Sequence, residues 1–159
     1  MANSIYVSIK GKTQGLISAG CCSYDSIGNR YQTAHKDRAF VLSLDTEIIR
    51  NQHVNHLPVR FKKLIDKSSP LLGVAISNNE ELELSFYLYR TSQEGQQEQY
   101  FQMELRGATL NRMGMACPHS IDDADAQPEE HLSVSYQSIT WKHLIAGTSG
   151  YSIWEDRVY

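Results

Sequence analysis

The chain reads as a mainly β protein: an antiparallel barrel or sandwich, with one short α-helix packed beside it and extended loops. Three observations predict this. Leu82, Leu84, Phe86 and Leu88 alternate with Glu81, Glu83, Ser85, Tyr87 and Tyr89, and a period of two gives a strand one buried and one outer face. The same alternation recurs along most of the 159 residues, whereas helical spacing appears in one segment. The hydrophobic phase also breaks twice, at Gly107 and between Tyr136 and Ile139. Bulges of this kind curl a sheet toward closure.

Ile5, Val7 and Ile9 open the chain as a half-buried strand that ends at Gly11-Lys12. Gly20–Asp37 is a long polar stretch with a turn signal at Gly28-Asn29. Phe40, Leu42 and Leu44 form the next strand, Thr46–His56 is polar again, and Val59 and Phe61 resume the alternation. Both polar stretches are long for connections and read as arms. A helix follows, with Ser69 as N-cap, Pro70 at the first helical position, and Leu71, Leu72, Ala75 and Ile76 on one face. Asn78-Asn79 stops it. The strand over Leu82–Leu88 turns through Gly95 into Phe101, Met103 and Leu105, and Ala108 and Leu110 continue on the other parity past Gly107. Leu132, Val134 and Tyr136, then Ile139 and Trp141, then Tyr151, Ile153 and Trp154 supply the last strands, with Trp141 expected as a core anchor. With no repeat or linker, residues 1–159 read as a single domain.

Composition narrows the function. A 41% hydrophobic content fills one core, and a net charge of -3 disfavours nucleic acid, which needs a basic stripe, and an acidic membrane surface. No apolar run is long enough to span a bilayer, and the first residues lack the basic and apolar regions of a secretory signal. Cys21, Cys22 and Cys117 make an odd count without framework spacing, which suits free thiols in a reducing compartment.

The chemical motifs are thin. His53 and His56 have a spacing that suits zinc on a helix, but no further ligand stands at a fitting distance in sequence. Gly11-Lys12-Thr13 resembles the end of a phosphate loop, yet Tyr6 occupies the position of its first glycine. Asp122, Asp123, Asp125, Glu129 and Glu130 read as a solvated acidic loop around Pro128, without the register of a calcium loop. Ser149 has Gly147 two residues before it but Tyr151 two residues after, so the nucleophile-elbow pattern is not met. No catalysis, cofactor or metal is therefore expected.

Several strings, specific in combination, carry a resemblance. They are Ile5-Tyr6-Val7-Ser8-Ile9-Lys10-Gly11, Gln14-Gly15-Leu16-Ile17-Ser18-Ala19-Gly20, Asp66-Lys67-Ser68-Ser69-Pro70-Leu71-Leu72 and Phe86-Tyr87-Leu88-Tyr89-Arg90. Pro128-Glu129-Glu130, Ser135-Tyr136-Gln137-Ser138-Ile139-Thr140-Trp141 and Gly150-Tyr151-Ser152-Ile153-Trp154-Glu155 complete them. Together they resemble the haemolysin-coregulated protein (Hcp) family, the tube component of bacterial type VI secretion. The resemblance implies a β-barrel with a helix beside it and a protruding arm, assembled as a hexameric ring. Stacked rings would form the inner tube, propelled by a contractile sheath behind a valine-glycine-repeat spike protein, with small effector proteins in the channel. It implies a cytoplasmic protein before firing, then secretion through the apparatus without a signal peptide. The C-terminal toxin domain that some members carry has no counterpart before Tyr159.

The residues agree independently. Open strand edges need cover, and a symmetric ring supplies it. Candidate subunit-interface or ring-stacking residues are Arg50, Asn51, Gln52, His53 and Asn55 on the second arm, and Tyr24 and Arg30 on the first. Two alternatives stay open: a bacteriophage-type tail-tube protein, and a small barrel hydrolase using His53, His56 or the acidic loop.

Overall fold

A computed structural model describes residues 3–154. Met1 and Ala2, read as leading directly into a strand, and Glu155 of the tail motif lie outside them. The strands are β1 (Asn3–Gly11), β2 (Gly15–Leu16), β3 (Ala39–Asp45), β4 (Ile48–Asn51), β5 (His53–His56), β6 (Val59–Leu64), β7 (Leu82–Thr91), β8 (Gln97–Ala116), β9 (Glu129–Ser135), β10 (Ser138–His143) and β11 (Thr148–Ile153). The helices are α1 (Tyr24–Ile27) and α2 (Ser69–Ser77).

Pairing follows the apolar parity. In the antiparallel β1–β7 pair, Ile5 faces Leu88, Val7 faces Phe86 and Ile9 faces Leu84. In β7–β8, Phe86 faces Met103 and Leu84 faces Leu105. Their side chains share the inner face, where Phe61 meets Phe86 edge to face with centroids 5.1 Å apart.

The sheet closes as a barrel through β8, β7, β1, β3, β6 and β9, and back to β8. Strand β8 permits this because it serves two neighbours along one edge: Phe101–Arg106 pairs with β10 and Thr109–Ala116 with β9. The bend between those halves is Gly107, at φ 60. A Cβ there would come within 2.5 Å of the Gln137 side chain, so the corner needs both the positive φ and the absence of a side chain. Opposite it, Tyr136 and Gln137 form the break between β9 and β10, and Gln137 donates its backbone N–H to the Arg106 carbonyl at 2.9 Å. The two expected phase breaks are thus the two sides of one corner.

Four expectations need correction. Helix α2 starts at Ser69 with Ser68 in the cap position, and Ser69 turns its hydroxyl inward instead. The buried face of α2 is Ser69, Leu72 and Ala75, whereas Leu71 is 38% exposed, one residue and about 100° round the helix from Leu72. The helix stops as expected: Asn79 adopts φ 50 and the Glu80 N–H reaches the Ala75 carbonyl at 2.9 Å. Trp141 is only half-buried against the core, and Ile139 is the fully buried residue of β10; Trp141 stands opposite Gly150 of β11, which brings no side chain to cover it. Finally, Glu129 and Glu130 belong to β9 and not to the acidic loop.

Candidate functional site

The second arm is a two-stranded hairpin of its own. Strands β4 and β5 pair Ile48 with His56, Ile49 with Asn55, Arg50 with Val54 and Asn51 with His53, around Gln52 at φ 70. Arg50, Asn51, Gln52 and Asn55 are exposed, and His53 is half-buried. The structure therefore brings five of the candidate residues together on one projection. An isolated hairpin is marginal in water, so its hold on the barrel decides its stiffness.

That hold is His56, a buried residue at the arm's root. Its Nδ1 lies 2.8 Å from the Tyr136 hydroxyl and its Nε2 2.9 Å from Ser152 Oγ. Its ring stacks on Trp154 at 5.7 Å, and Tyr136 meets Trp154 edge-on at 4.8 Å. Burial lowers the His56 pKa, and burial also pushes the Tyr136 phenol up to about 12. A neutral imidazole thus ties the arm to the corner and to the last strand. The zinc reading fails on geometry: residues i and i+3 of a strand point to opposite faces. Among the described residues, no group of three or more His, Cys, Asp or Glu could hold a metal ion.

The first arm, Gly20–Asp37, is not a free loop. Cys21, Cys22 and His35 are buried, and His35 stacks on Tyr6 at 3.8 Å. Arg38 closes the cluster: its guanidinium donates to the Tyr89 hydroxyl at 2.6 Å, lies 3.8 Å over the Tyr87 ring, and sits 3.3 Å from His35 Nδ1. Arginine only donates, so His35 Nδ1 accepts and the ring is neutral. Burial, then the Arg38 charge, lowers the His35 pKa. Tyr24 and Arg30 remain exposed on this strap, Tyr24 against Tyr31 and Arg30 beside the loop that follows β8. They are separate from the hairpin in sequence and in element.

Sequence reasoning missed a buried ionic cluster. Lys63 of β6 and Glu130 of β9 are register partners, both 0% exposed, with Nζ to Oε2 at 2.7 Å. Lys63 also pairs with Asp66 at 2.9 Å, and Ser69 donates to Glu130 at 2.7 Å. The cluster pins the entrance of α2 to β6 and β9. Its signal was present, since Lys63 shares the inward parity of Val59 and Phe61, and Glu130 that of Leu132 and Val134.

Strand β11 is the remaining surface of note. Among the described residues it pairs with β10 alone, and its Tyr151 is 73% exposed. A free strand edge beside a large aromatic is a template for pairing with another chain.

Comparison with known proteins fits this architecture. The family model described as type VI secretion system effector, Hcp, matches residues 6–143. A major exported protein of Pseudomonas aeruginosa is 36% identical over 171 residues, covering 99% of both chains. An uncharacterized protein, YhhZ, of Escherichia coli K12 is 40% identical over 149 residues, and this chain spans 37% of that relative's length. The solved structure of the secreted protein Hcp3 from Pseudomonas aeruginosa superposes with a TM-score of 0.88 at 36% identity, covering 98% of this chain and all of that one. Matched by that family model over residues 6–143 and by a 36% identical relative over nearly its whole length, the chain belongs to the Hcp family of type VI secretion system proteins.

Proposed function

We propose that the chain acts as one tube-forming domain: six copies close into a ring and rings stack into the inner tube of a type VI apparatus. The observation that carries this reading is a barrel whose β11 edge is unpaired among the described residues and a hairpin rooted on it through His56. A free edge continues a sheet into a neighbouring copy, and a rooted projection bridges to the next ring. Arg50, Asn51, Gln52, His53 and Asn55 on the hairpin are the stacking candidates, and Tyr24 and Arg30 on the strap are subunit-interface candidates. The spike protein, the sheath and small effectors in the channel are the further partners. The protein is made in the cytoplasm and leaves through the apparatus. It works by shape and self-association, without a chemical step of its own.

Light scattering with negative-stain imaging tests this. A ring of six times 18.0 kDa with a central hole is expected. Replacing the hairpin by a short turn should leave folded rings and impair stacking. A monomer at micromolar concentration refutes the reading.

A further inference from the structure

The outer face of β3, β6, β9 and β8 carries a groove of about 260 Å3. Strand register builds it. Asp45, Arg60, Ser133 and Arg112 lie in one cross-strand row, and Ser43, Lys62, His131 and Gly114 in the next. Gly114 leaves its end of the second row open, since a Cβ there would meet nothing within 4 Å, and Phe61 and Leu132 turn their side chains away into the core. The rim is cationic, from Arg60, Lys62 and Arg112. Glu129 answers part of that charge, 3.9 Å from Lys62 and 2.8 Å from His131. Asp45 is the carboxylate within the rows, register partner of Arg60. Among the described residues, neither Arg60 nor Arg112 forms an ion pair, although the chain as a whole carries a net charge of -3.

The loop between β8 and β9 has the opposite character. Asp122, Asp123 and Asp125 are exposed, and Ile121 at their head is 80% exposed. The turn is preformed: His119 Nδ1 accepts the backbone N–H groups of Ile121 and Asp122 at 3.3 and 3.0 Å, and the Asp123 N–H reaches the His119 carbonyl at 3.0 Å. The ion pair that these aspartates make among the described residues is Asp122 to His119, at 3.6 Å. None of them pairs with Arg60, Lys62 or Arg112 of its own chain.

We propose that the acidic knob of one copy docks in the basic groove of another, Asp122, Asp123 and Asp125 against Arg60, Lys62 and Arg112. Three exposed carboxylates on one turn match three cations around an open groove, and among the described residues Arg60, Arg112, Asp123 and Asp125 form no ion pair. Opposite charges arranged this way speed encounter and set register. Knob and groove are different patches, so the contact is heterologous: it propagates from copy to copy and does not close as a two-fold dimer. The inference rests on the self-association in the proposed function and adds its electrostatic basis.

Sedimentation velocity of the full chain in about 0.05 M and about 1 M NaCl tests it, because screening shortens from well beyond contact distance to about 3 Å over that range. Arg60→Glu/Arg112→Glu and Asp122→Lys/Asp123→Lys/Asp125→Lys should each weaken association by roughly tenfold or more at low salt. Combining them should restore it. High salt should weaken the wild type in the same direction. Assembly that ignores salt, a reversed groove that assembles like wild type, or a combined variant no better than its parents overturns the proposal. If rings of six persist in every reversed variant, the docking is wrong and the ring reading stands. A wild type that stays monomeric removes both. Circular dichroism checks folding, and if a reversed set fails to fold, the wild-type salt response and Arg60→Gln/Arg112→Gln decide. Polyaspartate that binds the groove calorimetrically without disturbing assembly also overturns it, assigning the groove to a different acidic partner.

Discussion

Replacing Lys63 by methionine tests what the buried ionic cluster does for the fold. Methionine nearly matches lysine in length and volume, so no large cavity opens and the loss is electrostatic. Lys63 Nζ lies 2.7 Å from Glu130 Oε2 and 2.9 Å from Asp66 Oδ1, and it donates to the Leu64 carbonyl at 3.2 Å. Removing it strands two fully enclosed carboxylates with no countercharge. Asp66 keeps the Ser68 N–H at 2.9 Å and Glu130 keeps the Ser69 hydroxyl at 2.7 Å. Among the described residues, Asp66 Oδ2 and Glu130 Oε1 already have no hydrogen-bond partner. Breaking a buried pair from one side costs about 3–5 kcal/mol, against a total stability of about 5–15 kcal/mol. Urea unfolding of Lys63→Met, followed by Trp141 and Trp154 fluorescence at one fixed protein concentration, should show a loss of that size. Lys63→Met/Glu130→Met removes one of the stranded charges with its partner and should recover at least about half of it. A Lys63→Met protein within about 1 kcal/mol of wild type, or a double variant worse than the sum of its parents, refutes the reasoning.

Gly107→Ala should cost about 1–3 kcal/mol, from a positive φ and a Cβ set against Gln137, read as a lowered urea midpoint. Leu72→Asp should yield insoluble protein because Leu72 is buried under α2, while Leu71→Asp on the exposed flank should express and melt close to wild type. His35 and His56 both have lowered pKa values in the fold, so the folded state takes up fewer protons than the unfolded one. Their contribution should be complete above the ordinary histidine value of about 6.5 and be lost as pH falls below it. Urea midpoints between pH 8 and 5 should therefore decline, and a His35→Gln/His56→Gln variant should flatten that decline.

Much of the architecture was legible in the residues. Alternation at Ile5–Ile9 and Leu82–Leu88 named the strands and their inner faces, because a two-residue period has one physical cause. Gly107 marked the corner, since its phase break was visible in the apolar parity of Leu105 and Ala108. The hairpin was legible only as a polar stretch. Thr46–His56 contains no strong turn pair, and its pairing depends on Gln52 adopting a left-handed conformation. The strap was misread because its polarity looked solvated, whereas His35 and Arg38 are satisfied by Tyr6, Tyr87 and Tyr89 far away in sequence.

By itself, the sequence determined the fold class, the inward faces, the helix stop at Asn79 and, through its motif strings, the family. These are local or periodic properties, carried by neighbours along the chain. Only the tertiary structure decided that Lys63 and Glu130 meet, that His56 roots the hairpin on Tyr136 and Ser152, and that Trp141 is half-exposed while Ile139 is buried. Each depends on strand register across the barrel. Charge, hydrogen bonding and burial are settled by what lies opposite a residue in space, and a polar side chain on an inward parity is read correctly only when its partner is known.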